Sequence, residues 1–119
     1  MLSPRAAAFA SVSTYAGTLE SPCALCGRGG AEPGEGKFCE ITMVVEQGVI
    51  RAVRFKTNGC PSSVAAGSAL CSLIDGRDLA KAQELTSAEL LRFIGGLPEG
   101  TEDAADRAIN ALKSIKRAE

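Results

Sequence analysis
Residues 40–57, EITMVVEQGVIRAVRFKT, alternate apolar and polar side chains on either side of a glycine, and a period of two predicts a β-hairpin. Taking Glu46, Gln47 and Gly48 as a three-residue loop with Gly48 left-handed sets Val45 opposite Val49, Met43 opposite Arg51 and Ile41 opposite Val53. Phe55 then shares a face with Cys39, and the outer face pairs Glu40 with Arg54. A two-residue loop at Gln47-Gly48 would set Arg54 against Ile41, so the three-residue loop is the expected register. Cys39, at the start of one strand, and Cys60, just past the end of its partner, come out at the same end of the hairpin.

After Gly59 the repeat becomes helical. Gly59 allows a sharp change of direction, and Pro61 suits the first helical position, where its missing N–H costs nothing. A helix is expected over residues 61–74, with Val64, Ala65, Ala69, Leu70, Leu73 and Ile74 apolar and small residues permitting close packing. Cys60 stands at about its N-cap, where unpaired N–H groups and the positive end of the helix dipole favour a thiolate. The plainer use of a free cysteine is as a small buried hydrophobe. Cys71 lies about 16 Å further along the axis, too far to share a metal with Cys60, and is expected in the core.

Asp78 caps a helix over residues 79–85. Thr86-Ser87-Ala88-Glu89 is a capping box for a helix running to Ile94, which Gly95-Gly96 stops. Thr101-Glu102-Asp103 starts the last helix, where Ala105, Ala108, Ile109, Leu112 and Ile115 or Lys116 trace an amphipathic stripe. Residues 1–22 form an N-terminal arm with a short helix expected over residues 5–12, and residues 23–119 form one domain. Residues 21–37, SPCALCGRGGAEPGEGK, read as a loop by composition, which makes residues 23–39 a cysteine-bearing loop ahead of the hairpin.

Composition narrows the chemistry. A chain of 119 residues, 45% apolar, with a formal charge of −1, fits a single soluble domain and gives no electrostatic reason to expect nucleic acid. Aromatic residues make up only 4%, which removes the usual base-stacking platforms. No stretch is long and apolar enough to cross a bilayer, so no membrane partner is expected. There are five cysteines and no histidine, so any metal must be held by thiolates, carboxylates, backbone or an external ligand. The odd count, the missing secretory pattern and a Cys-x-x-Cys pair favour reduced, cytoplasmic, metal-related use over a disulfide framework. Cys23 and Cys26 have the spacing of a thiolate metal knuckle. A redox dithiol shares that spacing but usually opens a helix, which Gly27-Arg28-Gly29-Gly30 does not suit. No phosphate-binding glycine motif or catalytic carboxylate pair is present, so no enzyme is expected.

The segment Arg54-Phe55-Lys56-Thr57-Asn58-Gly59-Cys60-Pro61-Ser62-Ser63-Val64-Ala65-Ala66-Gly67-Ser68 resembles, without a gap, the second cysteine segment of the NifU/IscU-type iron-sulfur cluster assembly scaffolds, RFKT-aromatic-GCGSAIASSS. Asp75-Gly76-Arg77-Asp78 follows that family's KGKT, and the likeness extends over roughly residues 40–118. The resemblance implies an α+β fold: a small antiparallel sheet packed against several helices, with a cysteine site at one end of the sheet. It also implies a scaffold whose cysteines accept sulfur from a cysteine desulfurase, hold a nascent Fe-S cluster or a zinc ion, and serve apo Fe-S acceptor proteins; a homodimer is compatible with it.

Carried over residue by residue, the family's second cysteine is Cys60. For the first, which belongs to a Cys-Gly-Asp motif, Cys26-Gly27-Arg28 and Cys39-Glu40 compete, and neither keeps the Asp. The third cysteine and its neighbouring His are absent, and Leu97-Pro98-Glu99-Gly100-Thr101-Glu102 occupies their region in shortened form. Sequence and resemblance together suggest a rearranged set, Cys23, Cys26, Cys39 and Cys60, binding a cluster through four thiolates. The alternatives are a structural zinc module on the same four residues and a sulfur-transfer protein carrying persulfide on Cys60.

Overall fold
In the computed structural model, residues 2, 4–11, 14–19, 24–30, 36–58 and 61–115 are described. The alternating segment forms β2 (Phe38–Glu46) and β3 (Val49–Thr57), and β1 (Leu25–Gly30) pairs antiparallel with β2, giving a three-stranded sheet of order β1-β2-β3. The hairpin register differs from the expected one. Glu46 faces Val49 across a two-residue turn in which Gln47 and Gly48 have φ of 53° and 79°, as the mirror-image hairpin turns require. A bulge then leaves Arg51 without an opposite number, so that Val44 faces Ala52, Met43 faces Val53, Ile41 faces Phe55 and Glu40 faces Lys56. The reason is burial. Ile50 and Val53 are both fully buried, and residues three apart cannot share a face of a regular strand. The bulge turns Arg51 out to solvent and brings both into the core.

The second departure is β1 itself, which composition hides as a loop. Gly27 and Gly29 occupy its inner face, and a Cβ at either would fall on the backbone carbonyl of Ala111 or Arg107 in α5 (Asp103–Lys113). The strand is glycine-rich because a helix backbone lies directly against it. Arg28 N–H donates to Ser114 Oγ at 2.8 Å, fastening the helix's end to the strand.

α2 (Pro61–Ile74) spans the expected residues but is buried on almost every side, not along one stripe. It lies against β3, α5, α4 (Ser87–Ile94) and α1 (Pro4–Ser11). Gly67 faces the Phe55 ring so closely that a Cβ would enter it. Asp78 caps α3 (Leu79–Ala82), shorter than expected because residues 83 and 84 continue as a turn, and Thr86 and Glu89 form the capping box of α4. Gly95 ends α4 at φ 89°.

The described residues of the N-terminal arm pack on the rest of the chain. Phe9 stacks on Phe93 at 5.4 Å, and Tyr15 donates to Asp75 Oδ2 at 3.0 Å. Residues 15–17 pair in parallel with Phe55, while residues 76–79 pair with Gly48 and Ile50, so both ends of the β3 edge are covered. The result is an α+β domain with α2 and α5 against one face of the sheet. Gly29→Ala should cost about 1–3 kcal/mol in denaturant unfolding, because the new methyl meets helix backbone and not a mobile side chain. Thr86→Ala should cost about 1 kcal/mol through loss of the cap.

Candidate functional site
The open end of the sheet is built by the start of β2, the end of β3 and the first turns of α2 and α5. Cys39 faces Thr57 across the β2–β3 ladder and Gly29 across the β1–β2 ladder. The Thr57 hydroxyl donates to Phe38 O at 2.6 Å, and the Asn58 side chain accepts from Phe38 N and donates to Gly36 O, so the ladder is extended past the last strand residue. Pro61 and α2 begin three residues beyond Asn58. Ser62 in the first turn of α2 donates to the Thr101 hydroxyl at 3.0 Å, and Thr101 donates to Pro98 O. The segment that the resemblance aligns with the missing third cysteine therefore meets α2 through hydroxyl groups.

Arg107 lies beneath this end. Its Nη2 donates to Ser63 Oγ at 3.0 Å and its Nη1 pairs with Asp103 at 2.6 Å. Its Cδ lies close beneath Gly30, where a Cβ would crowd it, and its carbonyl does the same beneath Gly29. Its Nε is buried with no hydrogen-bond partner among the described residues. The guanidinium holds the Asp103 carboxyl below its usual range.

The expected ligands are divided by the pleat. Residues directly opposite in a ladder share a face and neighbours alternate. Cys39 shares the inner face with Gly29, Gly27 and Ile41, whereas Cys26 faces Thr42 on the outer side, beside Arg28 and Glu40. Cys26 and Cys39, two of the four thiolates expected from the sequence, therefore lie on opposite faces while β1 is paired with β2. Cys23 and Cys60 fall outside the described residues. Cys71 is fully buried in the core cluster, as expected. Among the described residues no three Cys, Asp or Glu side chains lie close enough to hold a metal ion.

Burial pushes the Cys39 thiol up to about 12, with Glu40 adding to the rise and Arg107 opposing it. The Cys26 thiol is raised by burial and Glu40, against a lowering by Arg28. Both are thus protonated at neutral pH, and a thiophilic ion must displace the protons to bind. On the outer face, Arg28 pairs with Glu40 and lies 4.6 Å over the Phe38 ring.

The sequence profile of the NifU-like N terminal domain matches residues 10–117. The chain belongs to this family. Among its relatives, the "Nitrogen fixation protein NifU" of Cereibacter sphaeroides is 37% identical over 98 residues, covering 82% of this chain and 39% of that protein. The "Iron-sulfur cluster assembly scaffold protein IscU" of Aquifex aeolicus is 34% identical over 82 residues, covering 69% of this chain and 52% of the relative. The chain thus spans about two fifths and about half of these two relatives. A crystal structure from Fervidobacterium islandicum AW-1, described as a candidate iron-sulfur cluster assembly scaffold of the SUF system, superposes with a TM-score of 0.75 over 95% of this chain and 94% of that one. At 13% identity, this last likeness establishes the fold.

Sequence reading did not single out Arg107, Ser63 or Asn58. An Asp-Arg pair four residues apart at the start of the last helix was visible. The burial of Arg107 within that pair depends on β1, which composition concealed. The raised Cys39 value sets a pH dependence. Between its ordinary value of 9.0 and about 12, the unfolded chain releases a proton that the folded chain keeps, so stability falls as pH rises through that interval. Urea midpoints should decline above pH 9 in the wild type and decline less steeply in Cys39→Ala; equal slopes would remove Cys39 as a contributor.

Proposed function
We propose that this protein is an iron-sulfur cluster assembly scaffold or carrier that receives sulfur from a cysteine desulfurase, holds a nascent cluster on cysteine thiolates and passes it to apo acceptor proteins. Family membership supports the activity class. The observation that carries the site is the pairing of Cys39 with Thr57, three residues ahead of Cys60, at the end where α2 begins. Cys39 is the thiol of that end, Cys60 follows Thr57 by three residues in the chain, and in this reading the cluster is the cargo the two carry.

With Cys26 on the opposite face, Cys26 leaves the set of Cys23, Cys26, Cys39 and Cys60 while β1 remains in the sheet, and we take Cys39 and Cys60 as the pair this chain contributes. The remaining donors come from the desulfurase, the acceptor or a second copy of the chain. Four thiolates complete an ordinary cluster, so a site that supplies fewer holds its cargo loosely. That suits delivery better than storage. The role is that of a binding protein with no turnover of its own, working in the cytoplasm beside its partners.

Protein purified without oxygen and supplied with iron and sulfide should show a visible sulfur-to-iron charge-transfer spectrum, with sulfide in proportion to iron, and Cys60→Ser should lose it. A colourless protein free of iron contradicts the scaffold reading. Zinc without sulfide at one ion per chain, with unfolding on chelation, would support the zinc module instead. Absence of both metals, with a persulfide adduct on Cys60 by mass spectrometry, would support sulfur transfer.

A further inference from the structure
We propose that Arg107 is the fixed cation of the cargo site, a positioning residue whose buried guanidinium holds the negative charge that a thiolate-bound iron-sulfur cargo brings to Cys39. The inference rests on the scaffold reading above and adds the group that balances the cargo's charge.

The geometry is specific. Gly29 is the cross-strand neighbour of Cys39, and the space where its side chain would stand is filled by the Arg107 carbonyl. The side chain of Arg107 continues beneath Gly30 to Ser63 in the first turn of α2, just after the position of Cys60 in the chain. Only 12% of that side chain is exposed. Of its three nitrogens, Nη1 is committed to Asp103 and Nη2 to Ser63, while Nε–H is buried and unpartnered among the described residues. Leaving a charged donor buried without an acceptor is costly, and an anion arriving beside it relieves that cost.

The cargo supplies such an anion. With the full set of four thiolates, two from this chain and the rest from a second copy or partner, thiolate and sulfide outweigh the charge of ferric iron, so the completed cluster is anionic. Burial otherwise disfavours charge at Cys39, and Arg107 is the group that opposes this effect. A guanidinium stays charged at any working pH, so its contribution does not depend on protonation. Asp103 works against it. Its carboxylate, 62% exposed, already neutralises part of the guanidinium charge.

A purely structural ion pair and a charge-balancing cation therefore predict opposite patterns. If the Arg107–Asp103 pair only fastens α5, removing either partner harms the site alike. If Arg107 balances the cargo, Arg107→Gln weakens cargo retention and Asp103→Asn strengthens it. The measurement is the half-life of the visible spectrum under an iron chelator, in protein reconstituted with iron and sulfide, beside the thermal midpoint of each metal-free variant.

Relative to wild type, the half-life is expected to fall about tenfold in Arg107→Gln and to lengthen about twofold in Asp103→Asn, the smaller effect reflecting the exposure of that carboxylate. Arg107→Lys, which keeps the charge, should recover most of the loss. Because Asp103 is exposed, its variant tests the sign even if Arg107→Gln folds poorly. Equal shortening in Arg107→Gln and Asp103→Asn, or wild-type retention in Arg107→Gln, overturns this inference alone. A wild type that takes up no iron and sulfide overturns the scaffold reading and this inference with it.

Discussion

Gly27 and Gly29 leave the inner face of β1 bare, and α5 lies on the strand's backbone there. Much at the open end follows from that contact. It brings Arg107 up beneath Gly29 and Gly30, next to the strand that carries Cys39, and within reach of Ser63 in the first turn of α2. A side chain at either glycine would push the helix off and carry the guanidinium with it. The strand's apparent lack of structure-forming residues is the condition for its packing, since a residue without Cβ is what lets two backbones approach so closely.

The pleat supplies the second constraint. Once β1 pairs with β2, the alternation of faces fixes Cys39 inward and Cys26 outward. Two cysteines on opposite faces of one sheet serve different surroundings. Cys39 sits in the apolar layer between sheet and helices, where burial suppresses its charge. Cys26 sits beside the Arg28–Glu40 pair, on the face crossed at Thr42 by Leu19, whose N–H donates to the threonine hydroxyl at 3.0 Å. The inner face is the one that leads to α2 and Arg107, which is why the proposed cargo site lies there.

The elements governed by local rules were legible in the sequence. The capping box at Thr86, the cap at Asp78, the glycine stop at Gly95 and the limits of α2 depend on neighbours a few residues apart, and they form as expected. The features that escaped depend on distant partners. The hairpin register turned on a bulge that exists because Ile50 and Val53 are both drawn into the core, and alternation within one strand cannot express that demand. β1 was hidden because its glycines make sense only against α5. Arg107 was hidden with it. Cys39 could be placed at the correct end of the hairpin because that depends on the order of strand, turn and strand, which survives an error in register.

In the proposed site the cargo is held at the sheet end, on the inner face, and not by the Cys23-Cys26 knuckle. The direct measurement is iron and acid-labile sulfide per chain after anaerobic reconstitution, compared between Cys39→Ser and Cys26→Ser. Both elements should be lost in Cys39→Ser and remain near wild-type content in Cys26→Ser. Retention in Cys39→Ser with loss in Cys26→Ser would contradict this placement and move the site to the outer face.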